Sequence, residues 1–280
     1  MKVCRTIEEV RGLSRGARSE GRRIGFVPTM GALHEGHLSL VRAAKAECEF
    51  VIVSIFVNPT QFGPNEDLER YPRPFERDRE MLEREEADAL FAPDVEEIYP
   101  PGALTFVSVE ELSGKLDGKS RPGHFRGVAT VVAKLFHIVE PDAAFFGQKD
   151  AAQVAVLRRM VRDLALPVEM CVCPIVREAD GLAMSSRNAY LSLQERKAAL
   201  VLSRSLAKVR AEFEAGERSA ARLREAGERV VAGEPGARLD YFAIVDPDSL
   251  DFVDEVARPT LVAVAAYVGT TRLIDNVVLG

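Results

Sequence analysis

The segment that most constrains the fold is a strand–turn–helix pattern in residues 22–45. Residues 22–27 form a short apolar run typical of a β-strand, and Pro28 and Gly31 interrupt it. Residues 37–45 then show the apolar spacing of a helix. In open α/β sheets such a corner presents backbone N–H groups and the positive end of a helix dipole, which bind phosphate. The pattern predicts an α/β fold with a nucleotide site here.

The turn itself carries two histidines, His34 and His37, on either side of Gly36. Three residues are close to one helical turn, so both imidazoles can project over the helix N-terminus. A phosphate there would meet backbone N–H groups and two imidazole donors, and the glycine leaves room for its close approach. This arrangement suits the stabilisation of charge on an α-phosphate under attack.

Three other interpretations of the histidine pair are a zinc site, ordinary loop histidines and a dinucleotide-binding turn. The chain has four histidines and no Cys-x-x-Cys, which argues against zinc. It has no Gly-x-Gly-x-x-Gly, which argues against a dinucleotide fingerprint. The turn becomes a strong indicator of nucleotide chemistry only if a second nucleotide-binding element follows.

Composition limits the function classes. The 280 residues are 47% hydrophobic and 29% charged, as in globular proteins, and no run of about 18 apolar residues predicts a membrane span. The net charge of −6, with basic residues spread along the chain, argues against a nucleic-acid partner. The charged first residues lack an apolar signal core, which predicts a cytoplasmic protein. Cys171 and Cys173 lie in an apolar strand-like run and are predicted to be buried thiols.

A second strand is predicted over residues 50–57, which are nearly all apolar and β-branched, as in a strand covered on both faces. It ends at Asn58, and Gln61 follows closely. Because ligands of open parallel sheets lie beyond the carboxyl ends of the strands, Asn58 and Gln61 are candidates for reading polar groups of a substrate.

A third strand–turn–helix unit follows a predicted buried helix at residues 128–139. Residues 141–150 read as a brief strand, a glycine turn and a helix start, with Asp150 as the predicted N-cap. Lys149 is placed as a phosphate-binding cation, and Gln153 lies one turn into the helix. Earlier, Lys119, Arg121, His124 and Arg126 lie in one loop, either as a solvated basic segment or as the lining of an anion site.

The second nucleotide-binding element is predicted in residues 174–188. Met184-Ser185-Ser186-Arg187 offers two hydroxyls and a guanidinium, which suit a polyphosphate. Two helices (192–215 and 219–232) and three strands (241–245, 261–268 and 271–278) complete the chain. The alternating first half and the separate later strands predict a domain boundary near residues 174–180.

Four motifs in order resemble the pantothenate synthetase (pantoate–β-alanine ligase) family. They are Pro-Thr-Met-Gly-Ala-Leu-His-Glu-Gly-His (28–37), Phe-Val-Asn-Pro-Thr-Gln-Phe (56–62), Phe-Gly-Gln-Lys-Asp (146–150) and Glu-Ala-Asp-Gly-Leu-Ala-Met-Ser-Ser-Arg-Asn (178–188). The first and last also resemble the HIGH and KMSKS signatures of the nucleotidyltransferase superfamily. The resemblance extends from Thr6 to Asn276.

This resemblance implies an ATP-dependent ligase. ATP and (R)-pantoate would give pantoyl-adenylate and pyrophosphate, and β-alanine would then attack the adenylate to give pantothenate and AMP. The resemblance also implies a Rossmann-like N-terminal domain (residues 1–175) with a parallel sheet. A smaller α+β C-terminal domain (residues 176–280), with helices and a small antiparallel sheet, would close over ATP. Magnesium and a homodimer are implied as well.

The resemblance assigns roles to residues within these motifs. The implied catalytic residues are His37, His34 and Lys149. The implied ATP contacts are Met30, Gly31, Ala32, Leu33, His34, Glu35, Gly36, His37, Gly147, Gln148, Lys149, Asp150, Val176, Met184, Ser185, Ser186 and Arg187. Gln61 and Gln153 would hold pantoate, and Gln61 would also touch β-alanine. The two histidines, Lys149 and Arg187 would place positive charge where pyrophosphate leaves.

The metal assignment concerns Asp78, the carboxylate that the resemblance places nearest magnesium. Some relatives carry a second acid beside it, whereas Arg77 stands there in this chain. ATP phosphates and water would supply much of the coordination. The alternative interpretation is an exposed acid on a helix surface.

Other functions on the same scaffold differ in their requirements. Adenylyl transfer to another small acid would keep the nucleotide residues, but a mononucleotide acceptor would need more cations than Gln61 and Gln153 provide. Charging of tRNA is disfavoured by the acidic balance and by the lack of an anticodon-binding extension. A non-catalytic nucleotide sensor would be expected to lose the chemistry residues, which are present here.

Overall fold

The larger sheet of the molecule is parallel throughout. The computed structural model describes residues 1–64 and 66–280. The parallel strands are β1 (Lys2–Cys4), β2 (Ile24–Thr29), β3 (Phe50–Ile55), β4 (Ala89–Phe91), β5 (Ala143–Gly147) and β6 (Glu169–Cys173). Their order across the sheet is β1-β4-β3-β2-β5-β6.

Helices cover both faces of this sheet. The helices of the described residues are α1 (Ile7–Ser19), α2 (Glu35–Glu47), α3 (Phe75–Arg84), α4 (Val95–Ile98), α5 (Asp117–Ser120), α6 (His124–Val139), α7 (Ala151–Asp163), α8 (Leu193–Ala199), α9 (Val201–Glu214) and α10 (Ala220–Ala232). Residues of α1, α6 and α7 pack in one apolar cluster, and residues of α2 and α3 in another. This layering explains the near-continuous apolar sequence of the central strands.

The two-residue alternation of the strands divides their side chains between the two clusters. Phe26 and Ile52 belong to the cluster with α6 and α7, whereas Val27 and Val53 belong to the cluster with α2. All four side chains are fully buried. The carboxyl ends of β2 and β3 are thereby fixed side by side, because the strands pair in register from Ile24 to Thr29.

The C-terminal part of the chain forms an antiparallel sheet of β7 (Ala237–Val245), β8 (Thr260–Val268) and β9 (Thr271–Leu279). Alternate residues of β8, such as Val262 and Val264, pack in one cluster with α9 and α10. Leu261 and Ala263 instead join the cluster that contains α6 and α7. The antiparallel sheet is therefore packed against helices on one side and against the first half of the chain on the other.

The predicted fold class is confirmed, whereas one strand was missed and two local predictions were wrong. Strand β1 was not predicted because its three residues are too short to show a period. The helix predicted over 192–215 is two helices, because Leu200 has a ψ of −13° rather than the helical value of about −42°. Cys171 and Cys173 are only partly buried, because β6 is an edge strand.

The domain division after residue 175 stays a prediction. Among the described residues, no helix has both the length and the apolar character to cross a bilayer.

Candidate active site

One cleft opens at the carboxyl ends of β2, β3 and β5. It collects most of the side chains predicted from the four motifs. The predicted residues in its lining are Met30, His34, Gly36, His37, Asn58, Gln61, Gly147, Lys149, Asp150, Gln153, Val176, Met184, Ser185, Ser186 and Arg187. Gly31, Ala32, Leu33, Glu35 and Gln148 belong to the same turns and lie beside these residues in sequence. The structure thus brings together segments that are separated by up to 157 positions, from Met30 to Arg187.

The histidine turn caps helix α2. Nδ1 of His34 accepts a hydrogen bond from the N–H of Gly36 at 3.1 Å, and Nδ1 of His37 accepts one from the N–H of His34 at 3.4 Å. The two ring centroids are 4.1 Å apart. Both Nδ1 atoms act as acceptors, so the proton of each neutral ring is on Nε2. The pair can therefore offer two N–H donors to a ligand in the cleft.

Both histidines are held in the neutral form. Burial lowers the pKa of His34 to about 4, and the charge of Lys149 adds to this effect. Burial lowers the pKa of His37 to about 3, with smaller contributions from His34 and Lys149. The two rings are therefore neutral rather than positively charged as expected, because a protonated ring would lose its acceptor at Nδ1 as well as its hydration.

Gly36 is required by the position of the His34 ring. A Cβ atom at residue 36 would lie 2.9 Å from Cε1 of His34 and 3.0 Å from its Nδ1. This distance is shorter than van der Waals contact, and the ring would have to leave its capping position. A glycine at this position is therefore needed for the observed geometry of His34.

Asp78 anchors the turn that precedes the histidines. This side chain is 1% exposed, Oδ2 accepts the N–H of Ala32 at 2.7 Å, and Oδ1 accepts the N–H of Leu33 at 2.9 Å. Ala32 has a φ of +51°, an unfavourable conformation for a residue with a side chain. Burial raises the pKa of Asp78, and the two N–H donors and Arg77 oppose that rise.

The alternative interpretation of Asp78 as an exposed surface acid was therefore wrong. Its position follows from α3, whose first turn it occupies. Both carboxylate oxygens already accept backbone hydrogen bonds, which gives Asp78 a clear role in holding the turn. Among the described residues, no three His, Cys, Asp or Glu side chains group as metal ligands do. The assignment of Asp78 to magnesium stays a prediction that this geometry does not favour.

Asn58 and Gln61 form a buried amide pair beyond β3. Nδ2 of Asn58 donates to Oε1 of Gln61 at 3.0 Å and to the carbonyl of Gly127 at 3.2 Å. The hydroxyl of Tyr99 donates to Oδ1 of Asn58 at 2.9 Å. Nε2 of Gln61 faces the thioether of Met30 at 3.0 Å, and a thioether is a weak acceptor. This amide N–H₂ can therefore turn to a better acceptor at little cost.

The backbone of Gln61 is held by part of the predicted basic loop. Nδ1 of His124 lies 2.8 Å from the carbonyl of Gln61, and Nε2 of His124 lies 2.9 Å from Nη1 of Arg121. Arg121 also forms a bidentate ion pair with Glu66. Burial lowers the pKa of His124 to about 4, with Arg121 as the next cause.

Neither predicted alternative, a solvated basic segment or the lining of an anion site, holds for the whole loop. Arg121 and His124 line the cleft, whereas Lys119 is exposed and Arg126 stacks on the ring of Phe106 at 3.8 Å. His124 and Arg126 differ because they are two positions apart in α6, which turns their side chains toward different sides.

Lys149 and Gln153 line the cleft from the segment that follows β5. Nζ of Lys149 is 3.6 Å from Oδ1 of Asp150. Asp150 occupies the N-cap position of α7, but its side chain makes no capping hydrogen bond there. The prediction of a capping side chain was therefore wrong, because the three residues before α7 form a tight turn that gives Asp150 a φ of −95° and a ψ of 53°.

The Met184–Arg187 segment is tied to a loop that follows Gln61 in the sequence. Nε and Nη2 of Arg187 donate to the two oxygens of Asp67, each at 3.0 Å. The hydroxyls of Ser186 and Tyr71 are 3.3 Å apart. Sequence reasoning did not single out Asp67 or Tyr71, and a polar loop without a period offers no signal that would have identified them. Arg187 is therefore not an uncompensated cation in this conformation.

Residues 2–278 match the family model described as pantoate-beta-alanine ligase. The chain is 65% identical over 291 residues to a protein of Acidobacterium capsulatum named pantothenate synthetase, with 100% of this chain and 97% of that one covered. The chain belongs to the pantoate–β-alanine ligase family.

Solved structures of this family have the same fold. Pantothenate synthetase from Thermus thermophilus matches with a TM-score of 0.94 and 48% identity, over 99% of each chain. Pantoate-beta-alanine ligase from Francisella tularensis, described as complexed with beta-gamma ATP and beta-alanine, matches with a TM-score of 0.82 and 36% identity, over 99% of this chain and 97% of that one. The predicted family and fold are confirmed over nearly the whole chain.

Proposed function

We propose that this protein condenses (R)-pantoate with β-alanine in an ATP-dependent reaction that passes through pantoyl-adenylate. The observation that carries the proposal is the cleft itself. Its lining includes the two neutral histidines and Lys149 and also the amides of Gln61 and Gln153. A polyphosphate suits the first group, and a small hydroxy acid suits the second, which would form the acid end of the cleft.

In the first step, a carboxylate oxygen of pantoate attacks the α-phosphorus of ATP. The bond from this phosphorus to the bridging oxygen breaks, and pyrophosphate leaves with the electron pair. The Nε2–H groups of His34 and His37 donate to phosphate oxygens, and Lys149 offsets the charge that develops. Neutral imidazoles suit this role because each keeps one ring nitrogen on the backbone and directs the other into the cleft.

We further propose two groups of nucleotide contacts. The turn before α2 and the turn before α7 would hold the phosphates and the ribose of ATP. The 176–187 segment would cover them. The proposed contacts are Met30, Gly31, Ala32, Leu33, His34, Glu35, Gly36, His37, Gly147, Gln148, Lys149, Asp150, Val176, Met184, Ser185, Ser186 and Arg187. Arg187 would exchange its partner Asp67 for phosphate during this closure.

The acid end would hold pantoate through Gln61 and Gln153, with Asn58 fixing the orientation of Gln61. Oε1 of Gln61 is occupied by Asn58, so its N–H₂ group is the part that can turn to the substrate. In the second step the amine of β-alanine attacks the acyl carbon, loses a proton and expels AMP, which keeps the oxygen that came from pantoate. Exclusion of water protects the adenylate between the two steps.

Magnesium would enter with ATP rather than bind to a protein site. The described residues provide no cluster of three acidic, histidine or cysteine ligands, and Asp78 is committed to Ala32 and Leu33. Magnesium commonly keeps several waters and binds through substrate phosphates. A homodimer, which the family resemblance implies, and a cytoplasmic location are further parts of this proposal.

An isotope-transfer experiment tests the reaction. Pantoate labelled with ¹⁸O in its carboxylate is incubated with ATP, magnesium, β-alanine and the protein, and the products are analysed by mass spectrometry. One labelled oxygen in AMP and one in pantothenate is the expected result, because the adenylate oxygen leaves with AMP. Label in inorganic phosphate together with ADP would overturn the proposal.

A further inference from the structure

The last strand of the protein contacts both nucleotide-binding segments through two adjacent side chains. Asn276, on β9, is 3% exposed. Its Nδ2 donates to the carbonyls of Gln148 and Lys149, both at 2.9 Å, and its Oδ1 accepts from Nε2 of Gln148 at 3.0 Å. The turn that carries Lys149 is therefore fixed by a residue that follows it by 127 positions.

The preceding residue holds the other segment. Asp275 is also 3% exposed, and its oxygens accept from Nη1 and Nη2 of Arg177 at 2.7 and 2.9 Å. Arg177 also donates to the carbonyl of Gly181 at 3.1 Å. It lies in a short hairpin, closed by the bond from the N–H of Met184 to the carbonyl of Val176 at 3.0 Å. This hairpin leads directly into the Met184–Arg187 segment.

The contacts of Asp275 and Asn276 are polar and specific, unlike the apolar packing of an ordinary sheet. Successive residues of a strand have side chains on opposite faces, so one strand can reach two loops on its two sides. A buried carboxylate paired with a guanidinium and a buried amide with three hydrogen bonds both have strict geometric requirements. Neither Asp275 nor Asn276 is itself among the residues that line the cleft.

We propose that Asp275 and Asn276 are positioning residues that set the separation of the two nucleotide-binding segments. Asn276 fixes the Gln148–Lys149 backbone and thereby the reach of the Lys149 ammonium. Asp275 fixes the hairpin and thereby the approach of Met184–Arg187. The inference rests on the proposed nucleotide contacts of these segments. In this proposal the C-terminal sheet helps to form the phosphate-binding site and does not only cover it.

The test separates positioning from general stability. Asn276→Asp keeps the size of the side chain but replaces the donor to two carbonyls by a carboxylate oxygen. Thr260→Val is the matched control, because Thr260 is 1% exposed on β8 of the same sheet and its hydroxyl bonds only to the carbonyl of Arg258 among the described contacts. Binding of a non-hydrolysable β,γ-substituted ATP analogue is measured by calorimetry, together with the midpoint of thermal unfolding.

We expect Asn276→Asp to weaken binding of the analogue about tenfold, since a charged oxygen against two carbonyls displaces the turn. Thr260→Val should lower the unfolding midpoint without changing that affinity. In a Lys149→Ala background, Asn276→Asp should weaken binding less than about twofold, because the lysine through which it acts is absent. Equal losses in both backgrounds, or a matching loss of affinity in Thr260→Val, would overturn the inference.

A second variant covers the hairpin, and also the case in which Asn276→Asp does not fold. Asp275→Asn should speed amide hydrogen exchange in residues 176–187 relative to wild type and leave exchange in α9 unchanged. Unaltered exchange in 176–187 would contradict the role of Asp275. Failure of the wild-type protein to bind the analogue would overturn the proposed function itself, whereas normal binding by wild type and by every variant would overturn only this inference.

Discussion

Replacement of Asp78 by asparagine tests whether this carboxylate anchors the turn before α2 or holds magnesium. In the structure its two oxygens accept the N–H groups of Ala32 and Leu33. Asparagine keeps one acceptor and turns an N–H₂ group toward the other backbone donor. A hydrogen bond to a charged group contributes about 1.5 to 3 kcal/mol, and a buried donor left without an acceptor costs a similar amount.

From these values we expect Asp78→Asn to lower the free energy of unfolding by about 2 to 4 kcal/mol. The strained φ of +51° at Ala32 should relax once its anchor is lost, so the rate of adenylate formation should fall as well. Urea unfolding gives the first quantity, and pyrophosphate–ATP exchange at a series of magnesium concentrations gives the second. The magnesium concentration for half-maximal exchange should stay unchanged.

The control is Glu76→Gln in the same first turn of α3, where the side chain is exposed and pairs only with half-buried Arg79 among the described residues. This variant should differ from wild type by less than about 0.5 kcal/mol. The anchoring role would be refuted if Asp78→Asn kept wild-type stability and instead needed far more magnesium for the same rate.

Four further predictions concern the cleft. His34 and His37, with pKa values lowered to about 4 and about 3, should remain neutral Nε2–H tautomers at pH 5.5 in ¹⁵N spectra, and a titration near pH 6.5 would contradict this. Because these pKa values lie below the unfolded value of 6.5, the unfolded chain binds protons first, so stability should fall as the pH drops below about 6.5. Asp67→Asn should lower the KM for ATP several-fold, because Arg187 no longer leaves a carboxylate to reach phosphate; a higher KM would show that the pair positions Arg187 productively. Gln153→Ala should raise the KM for pantoate more than that for ATP, and equal effects would remove Gln153 from the acid end.

The fold was largely predictable because its strands and helices have strong local patterns. The apolar runs of β2 and β3 and the glycine turns that follow β2 and β5 indicate a parallel sheet and its ligand-binding edge. Motif spacing also placed His34, His37, Lys149 and the Met184–Arg187 segment correctly in one cleft. Each of these signals lies within a few consecutive residues.

The contacts that fix the site were not predictable because they join distant segments. Asp78 bonds to Ala32 across 46 positions, and Arg187 bonds to Asp67 across 120. No local sequence pattern indicates either pair. The neutrality of His34 and His37 depends on burial, which only the folded arrangement reveals.

The most direct test of the central claim is pyrophosphate–ATP exchange with purified protein and magnesium, with and without pantoate and in the absence of β-alanine. Adenylation of pantoate is reversible before the amine arrives, so labelled pyrophosphate should enter ATP only when pantoate is present. Exchange that is driven by a different acid and not by pantoate would keep the adenylation chemistry and contradict the proposed substrate. Absence of exchange with any acid would contradict the account as a whole.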